Sequence, residues 1–198
     1  SFSGGLHGVG VSVTNALSTR LEVTVYRDGQ VAHLVFGNGG DVVEPLTVRA
    51  TQRGDRKQGT TVRVWPDAKY FESKNLPMPE LQHLLRSKAV LMPGVTVSLA
   101  NEKTKQTQNW QYKGGLSDYL SQTLSTEPII PMFEGEGFAD KHNDSFALGE
   151  GASWCVAFTE DGQPMRESYV NLIPTTAGGT HESGLRDGLF QAVKSFID

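Results

Sequence analysis

An α+β fold, with helices layered on a mostly antiparallel sheet, is what this sequence predicts, and three observations predict it. Apolar residues recur at helical spacing in four separated stretches, beginning near Val9, Leu81, Leu116 and Leu185. Between them lie short segments in which apolar and polar residues alternate, the mark of half-buried strands. Turn pairs such as Asp28-Gly29 and Asp161-Gly162 join those segments tightly enough for hairpins.

In chain order, Val9, Val13, Ala16 and Leu17 fall on one face of a first helix. Leu21, Val23 and Val25 then alternate with Glu22, Thr24 and Tyr26 as a strand, and Val31 to Phe36 returns after Asp28-Gly29. Gly37 to Gly40 is a second turn, and a third strand is expected over Leu46 to Ala50. The basic, turn-rich segment Gln52 to Gln58 reads as a solvated hairpin tip, with phosphate contact as the alternative. Thr60 to Trp65 forms the next strand, closed by Pro66.

Pro79 opens a second helix, whose face carries Leu81, Leu84, Leu85, Lys88 and Met92 before Pro93-Gly94 stops it. On that helix His83 reads as a surface histidine. Val95, Val97 and Leu99 make a strand, Asn101 to Lys105 turns, and Trp110 and Tyr112 lie on the return. A third helix carries Leu116, Tyr119, Leu120 and Leu124. The polar stop Ser125-Thr126-Glu127-Pro128 marks a domain boundary, dividing residues 1–126 from 127–198.

Beyond it, strands are expected over Pro131 to Phe138, over Ser153 to Thr159 with Trp154, Val156 and Phe158 inward, and over Ser168 to Ile173. Cys155 reads as a buried small hydrophobe. Thr180 is placed as N-cap of a final helix with Leu185, Leu189, Ala192, Val193 and Phe196 on one stripe.

With 37% hydrophobic and 20% charged residues, the 198-residue chain has the composition of an ordinary soluble globular protein. A net charge of −4 argues against a main nucleic-acid surface, though a local basic patch remains open. One cysteine permits no internal disulfide and fits a reducing compartment. No apolar run approaches the roughly 20 residues that span a bilayer, so no membrane partner is expected. Neither an initiator Met nor a signal peptide opens the sequence, which reads as an excised piece of a longer protein. No second Cys or spaced His pair suggests a metal site.

The stretch Ser3-Gly4-Gly5-Leu6-His7-Gly8-Val9-Gly10-Val11 carries the most chemistry. A glycine-rich loop feeding a helix N-terminus holds anions, because the first amides lack internal partners and the dipole is positive there. The glycines run G-x-x-G-x-G, the reverse of the dinucleotide fingerprint, and no G-K-[ST] follows, which excludes a P-loop. By glycine spacing alone, a tight turn capping a helix serves equally well.

The full string Ser3 to Gly10 resembles the ATP-lid motif of the gyrase B / topoisomerase IV B-subunit family, the ATP-hydrolysing subunits of bacterial type IIA topoisomerases. Gly59-Thr60-Thr61-Val62-Arg63-Val64-Trp65-Pro66, Lys88 to Val95, Tyr169 to Thr175 and Gly178-Gly179-Thr180-His181 fit the same family in the same order. Tyr169 to Thr175, followed by Gly184 to Leu189, look more like the topoisomerase IV branch than gyrase. Pro131 to Gly151 match it least.

That resemblance implies a partial Bergerat-type (GHKL) ATPase α/β sandwich over residues 1–126, starting at the ATP lid. The first part of a ribosomal-S5-like transducer domain would follow over 127–198. It implies ATP as cofactor, held by backbone near Gly5, Leu6, His7, Gly8, Val9, Gly10 and Val11, with Thr60 at the adenine end. His7 either adds a side-chain contact or serves in helix capping or packing. The family's glutamate base, magnesium-holding asparagine and adenine-reading aspartate are expected upstream of Ser1, so no catalytic or metal residue is assigned here. Implied partners are the A subunit of topoisomerase IV, a second ATPase subunit on ATP binding, and duplex DNA, in the cytoplasm. The B subunit of gyrase, another ATPase of this fold (sensor kinase, mismatch-repair protein or chaperone) and a non-enzymatic interaction module are the alternatives.

Overall fold

The structure is a computed structural model that describes residues 8–52, 57–73, 75–142 and 144–197. Its described residues divide into two compact units between Leu76 and Pro77. The boundary expected at residues 126 and 127 therefore falls inside the second unit.

The first unit is built on a four-stranded antiparallel sheet in the order β3-β2-β1-β4. Its strands are β1 (Ser18–Arg27), β2 (Gln30–Gly37), β3 (Asp41–Ala50) and β4 (Gly59–Pro66). Asp28 and Gly29, at φ +52° and +72°, form the tight turn that sets the β1–β2 register, with Leu21 opposite Phe36 and Val23 opposite Leu34. That register puts Leu21, Val23, Val25, Leu34, Phe36, Val62 and Val64 on one face. Arg20, Glu22, Thr24, His33, Glu44 and Arg63 share the other.

Strand β3 begins earlier than expected, and its ladder with β2 is irregular. Glu44 pairs with Val35 and Thr47 with His33, leaving Pro45 and Leu46 without partners. Proline lacks the amide a regular ladder needs, so it sits at an edge strand's irregularity.

Helix α1 (Gly10–Ala16) leads into β1. Its expected buried face is not buried: Val9 and Val13 are each 50% exposed. The helix is only two turns long, and partial burial is confined to Asn15 and, just past its end, Leu17. A 3-10 turn, Ala68–Tyr70, follows β4, its N-terminus capped by the Asp67 side chain.

In the second unit, α2 (Met78–Leu91) and α3 (Leu116–Thr123) enclose the core of Ala89, Val90, Tyr112 and Tyr119, with Val97, Trp110, Leu116 and Met165 packed around it. Tyr112 and Tyr119 meet edge to face, ring centroids 5.6 Å apart. Pro79 stands in the first turn of α2 as expected. The hairpin of β5 (Val97–Asn101) and β6 (Gln106–Trp110) excludes Val95 and Tyr112, and the latter is committed to the core instead.

Strands β7 (Phe133–Phe138) and β8 (Gly151–Val156) pair antiparallel, so β8 stops before Phe158. Phe158 instead sets its ring edge-on to Phe133, while its carbonyl accepts the Ile129 amide. Cys155 is half-buried rather than buried, and desolvation moves its thiol pKa upward.

The strand expected over Ser168 to Ile173 is broken into a hairpin of β9 (Tyr169–Val170) and β10 (Ile173–Pro174). Asn171 and Leu172 reverse the chain there at φ +48° and +69°. Helix α4 (Thr180–Ile197) starts with Thr180 already inside it. The cap position belongs to Gly179, whose carbonyl accepts from Glu182 and Ser183. Of the expected stripe, Leu185 and Leu189 are half-buried, while Val193 and Phe196 stay exposed.

Candidate functional site

The glycine loop enters α1 through Gly8, at φ +67°, a left-handed conformation that favours glycine. Val9 takes the N-cap position without supplying a side-chain cap. The first helical hydrogen bond runs from the Val13 amide to the Val9 carbonyl at 2.9 Å. The amides of Gly10, Val11 and Ser12 thus precede the ladder, and no acidic residue occupies the first turn. Val11 is 66% exposed.

Gly10 differs from Gly8. Its φ is ordinary, and a β-carbon there would meet nothing within 4 Å. Nothing in the fold around it requires a glycine. An open helix start with uncapped amides and room over Gly10 suits a phosphate, whose oxygens accept from such amides. Gly5, Leu6 and His7 lie outside the described residues.

Thr60 is exposed at the mouth of β4, opposite Val25 and on the same face as Val62 and Val64. The opposite end of β4, at Pro66, pairs with Ser18, where α1 hands over to the sheet. Six residues of strand separate the two ends, about 20 Å. Thr60 and the α1 junction therefore stand at opposite ends of one strand.

A shallow cleft of about 280 Å³ opens beside that junction, lined by Ala16, Ser18, Thr19, Asn38, Gly39, Asp67, Lys69 and Tyr70. The Asp67 carboxylate there accepts the Lys69 amide at 3.1 Å and pairs with the Lys69 ammonium at 3.1 Å. Those two contacts lower its pKa. Its charge is already answered within the chain. Among the described residues, no three His, Cys, Asp or Glu side chains gather into a group able to hold a metal ion. None of their helices is long and apolar enough to cross a membrane.

A second polar centre lies in the other unit and was not anticipated, because its members come from three separated stretches. Glu167 accepts from the hydroxyls of both Tyr119 and Tyr169. Lys88, expected on the face of α2, donates through Nζ to the Leu172 carbonyl. No spacing rule brings these together; only the folded chain does.

The architecture has a counterpart among solved structures. The chain is similar to the topoisomerase IV ATP-binding domain of Francisella tularensis, solved in complex with a small-molecule inhibitor. The TM-score is 0.67, with 34% identity, covering 98% of this chain and 51% of that one. The fold is thus of the GHKL ATPase class. Residues 115–198 match the family model described as DNA gyrase B. The chain is 45% identical to the B subunit of DNA topoisomerase 4 from Salmonella typhimurium and from Escherichia coli, covering 100% of this chain and 30% of each relative. It is 33% identical to the B subunit of DNA gyrase from Helicobacter pylori, covering 99% of this chain and 24% of that relative. It belongs to the gyrase B / topoisomerase IV B-subunit family. The chain spans 30% of the length of the topoisomerase relatives it matches.

Proposed function

We propose that these 198 residues serve within the ATP-binding subunit of a type IIA DNA topoisomerase, of the topoisomerase IV kind. That enzyme couples ATP hydrolysis to DNA strand passage, relaxation and decatenation. The observation that carries the reading is the uncapped start of α1 behind Ser-Gly-Gly-Leu-His-Gly-Val-Gly, a phosphate cradle in a chain similar over its whole length to the B subunits of DNA topoisomerase 4.

In this reading Gly5, Leu6, His7, Gly8, Val9, Gly10 and Val11 form the lid over the triphosphate. Their amides spread its negative charge, and Thr60 holds the adenine end. The bound nucleotide supplies the phosphoanhydride whose cleavage drives the cycle. Magnesium and the general base would come from the part of the enzyme upstream of Ser1, as the family resemblance implies. Residues 1–126 form the later part of the ATPase domain and 127–198 the first part of the transducer. The DNA gyrase B match, which begins at residue 115, supports that division. Partners are the A subunit of topoisomerase IV, a second copy of the ATPase chain on ATP binding, and duplex DNA during chromosome segregation in the cytoplasm.

The B subunit of DNA gyrase is the second reading, favoured by the Helicobacter pylori relative. The test is to reconstitute the full-length protein with its companion subunit and assay linked DNA circles with ATP. ATP-dependent decatenation without net negative supercoiling is expected. ATP-dependent negative supercoiling would assign gyrase, and loss of ATP dependence would overturn both.

A further inference from the structure

Side chains along residues 166–169 go two ways by turns. Arg166 and Ser168 turn to helix α4: Arg166 Nε stands 2.6 Å from Glu182 Oε1, and Ser168 Oγ donates to Glu182 Oε2 at 3.4 Å. The Glu182 side chain is only 13% exposed, and Arg166 is the ion-pair partner of its buried Oε1. Glu167 and Tyr169 turn to α2 and α3. Glu167 Oε1 accepts from the buried Tyr119 hydroxyl of α3 at 2.8 Å, while Oε2 accepts from Tyr169.

Helix α2 closes the junction with three consecutive residues. The Arg86 guanidinium lies 5.3 Å from the centre of the Tyr119 ring, Ser87 is buried beside the Tyr169 hydroxyl, and Lys88 donates to the Leu172 carbonyl. The hairpin they hold is weak by itself. Its strands are two residues long, and Leu172 stands at φ +69°, where a bulky side chain is strained. It keeps its shape because α2 and Glu167 grip it from outside.

We propose that Glu167 is a positioning residue, the joint through which α2 and α3 move as one body with the Tyr169–Pro174 hairpin. Through Arg166 and Ser168, the same segment carries that motion to the first turn of α4. Resting on the function proposed above, this joint straddles the division at residues 126 and 127 and passes the nucleotide state toward the DNA-cleaving part of the enzyme. Two discrete arrangements of one packed segment are the physical form such coupling takes.

The test is E167Q, with Y119F beside it. Glutamine keeps the volume, but its amide nitrogen cannot accept, so one tyrosine can no longer donate to residue 167 and both bonds lose their charged partner. In the full-length protein, amide exchange over the hairpin should quicken about tenfold in E167Q, the consequence of losing hydrogen bonding to a charged group. Y119F should quicken the same amides, although residue 119 lies outside the hairpin. In the full-length enzyme with its companion subunit, E167Q should keep ATP hydrolysis within about twofold while passing far fewer DNA segments per ATP. Unchanged hairpin exchange in E167Q, or ATPase and strand passage falling in equal proportion, would overturn the joint. If the wild-type enzyme shows no ATP-driven passage, the functional reading fails, and the exchange data alone decide the joint.

Discussion

Arg20 on β1 reaches Glu44 on β3, two strands away, with Nη2 3.3 Å from Oε1. Its Nε pairs with Glu22 at 2.8 Å, and its guanidinium lies 5.8 Å from the centre of the Trp65 ring. The bridge crosses β2 at Val35, which stands between Glu22 and Glu44 in register and is wholly buried. A valine thus becomes core on the polar face of a sheet, roofed by an arginine's stem and fork.

Removing the roof should matter more than removing its charge partner. Arg20→Ala is expected to lower the unfolding temperature of the sheet clearly, by exposing Val35. Glu44→Ala should change it little, since exposed ion pairs contribute weakly. Thermal unfolding followed by circular dichroism at low and high salt checks this. A Glu44→Ala loss as large as that of Arg20→Ala would show that the pair itself matters, not the cover.

Gly10 offers a clean separation of fold from ligand. Because a β-carbon there meets nothing within 4 Å and the backbone is unstrained, Gly10→Val should leave the fold standing. The added isopropyl group would occupy the space over the uncapped amides, so ATP binding by the full-length protein should fall at least about tenfold, or 1.4 kcal/mol. Titration with a non-hydrolysable ATP analogue measures it. Wild-type affinity would remove Gly10 from the phosphate cradle.

The tyrosine pair makes stability depend on high pH. Burial, and then the bond to the Glu167 carboxylate, pushes the Tyr119 hydroxyl up to about 12. Tyr169 moves upward for the same two reasons in the same order. An unfolded tyrosine titrates near 10, so the folded state keeps its protons where the unfolded chain releases them. The stabilisation is full below about pH 10 and is lost as pH climbs from there through about 12. Urea midpoints should drop between about pH 10 and about pH 12, and Tyr119→Phe should flatten the drop. A midpoint equally pH-dependent in that variant would assign the loss to other groups.

The sheet was legible because its signals are local. Alternation in Leu21 to Tyr26 and the Asp28-Gly29 pair specify a hairpin within a dozen residues. The Tyr169–Pro174 hairpin was not legible, since no turn preference places leucine at positive φ. Lys88, more than eighty residues earlier, holds the Leu172 carbonyl in place. Helical stripes were readable in α1 and α4, but periodicity states which residues share a face, never whether that face is covered. The phosphate cradle was visible as a string of glycines. What the string withheld is the difference between Gly8, which the backbone demands, and Gly10, which it does not.

The broken ladder of β3 bears on how the protein behaves at high concentration. All ten of its residues are exposed, with Val42, Val43, Leu46 and Val48 between 47% and 62% accessible. A straight strand of that composition at a sheet edge would invite a second molecule to add itself, amide to carbonyl, and begin a fibre. Pro45 contributes no amide, and the two register shifts beside it turn the edge out of line. An incoming strand would find its hydrogen bonds interrupted halfway along, beside the charge of Glu44, so this edge discourages growth by backbone and charge together.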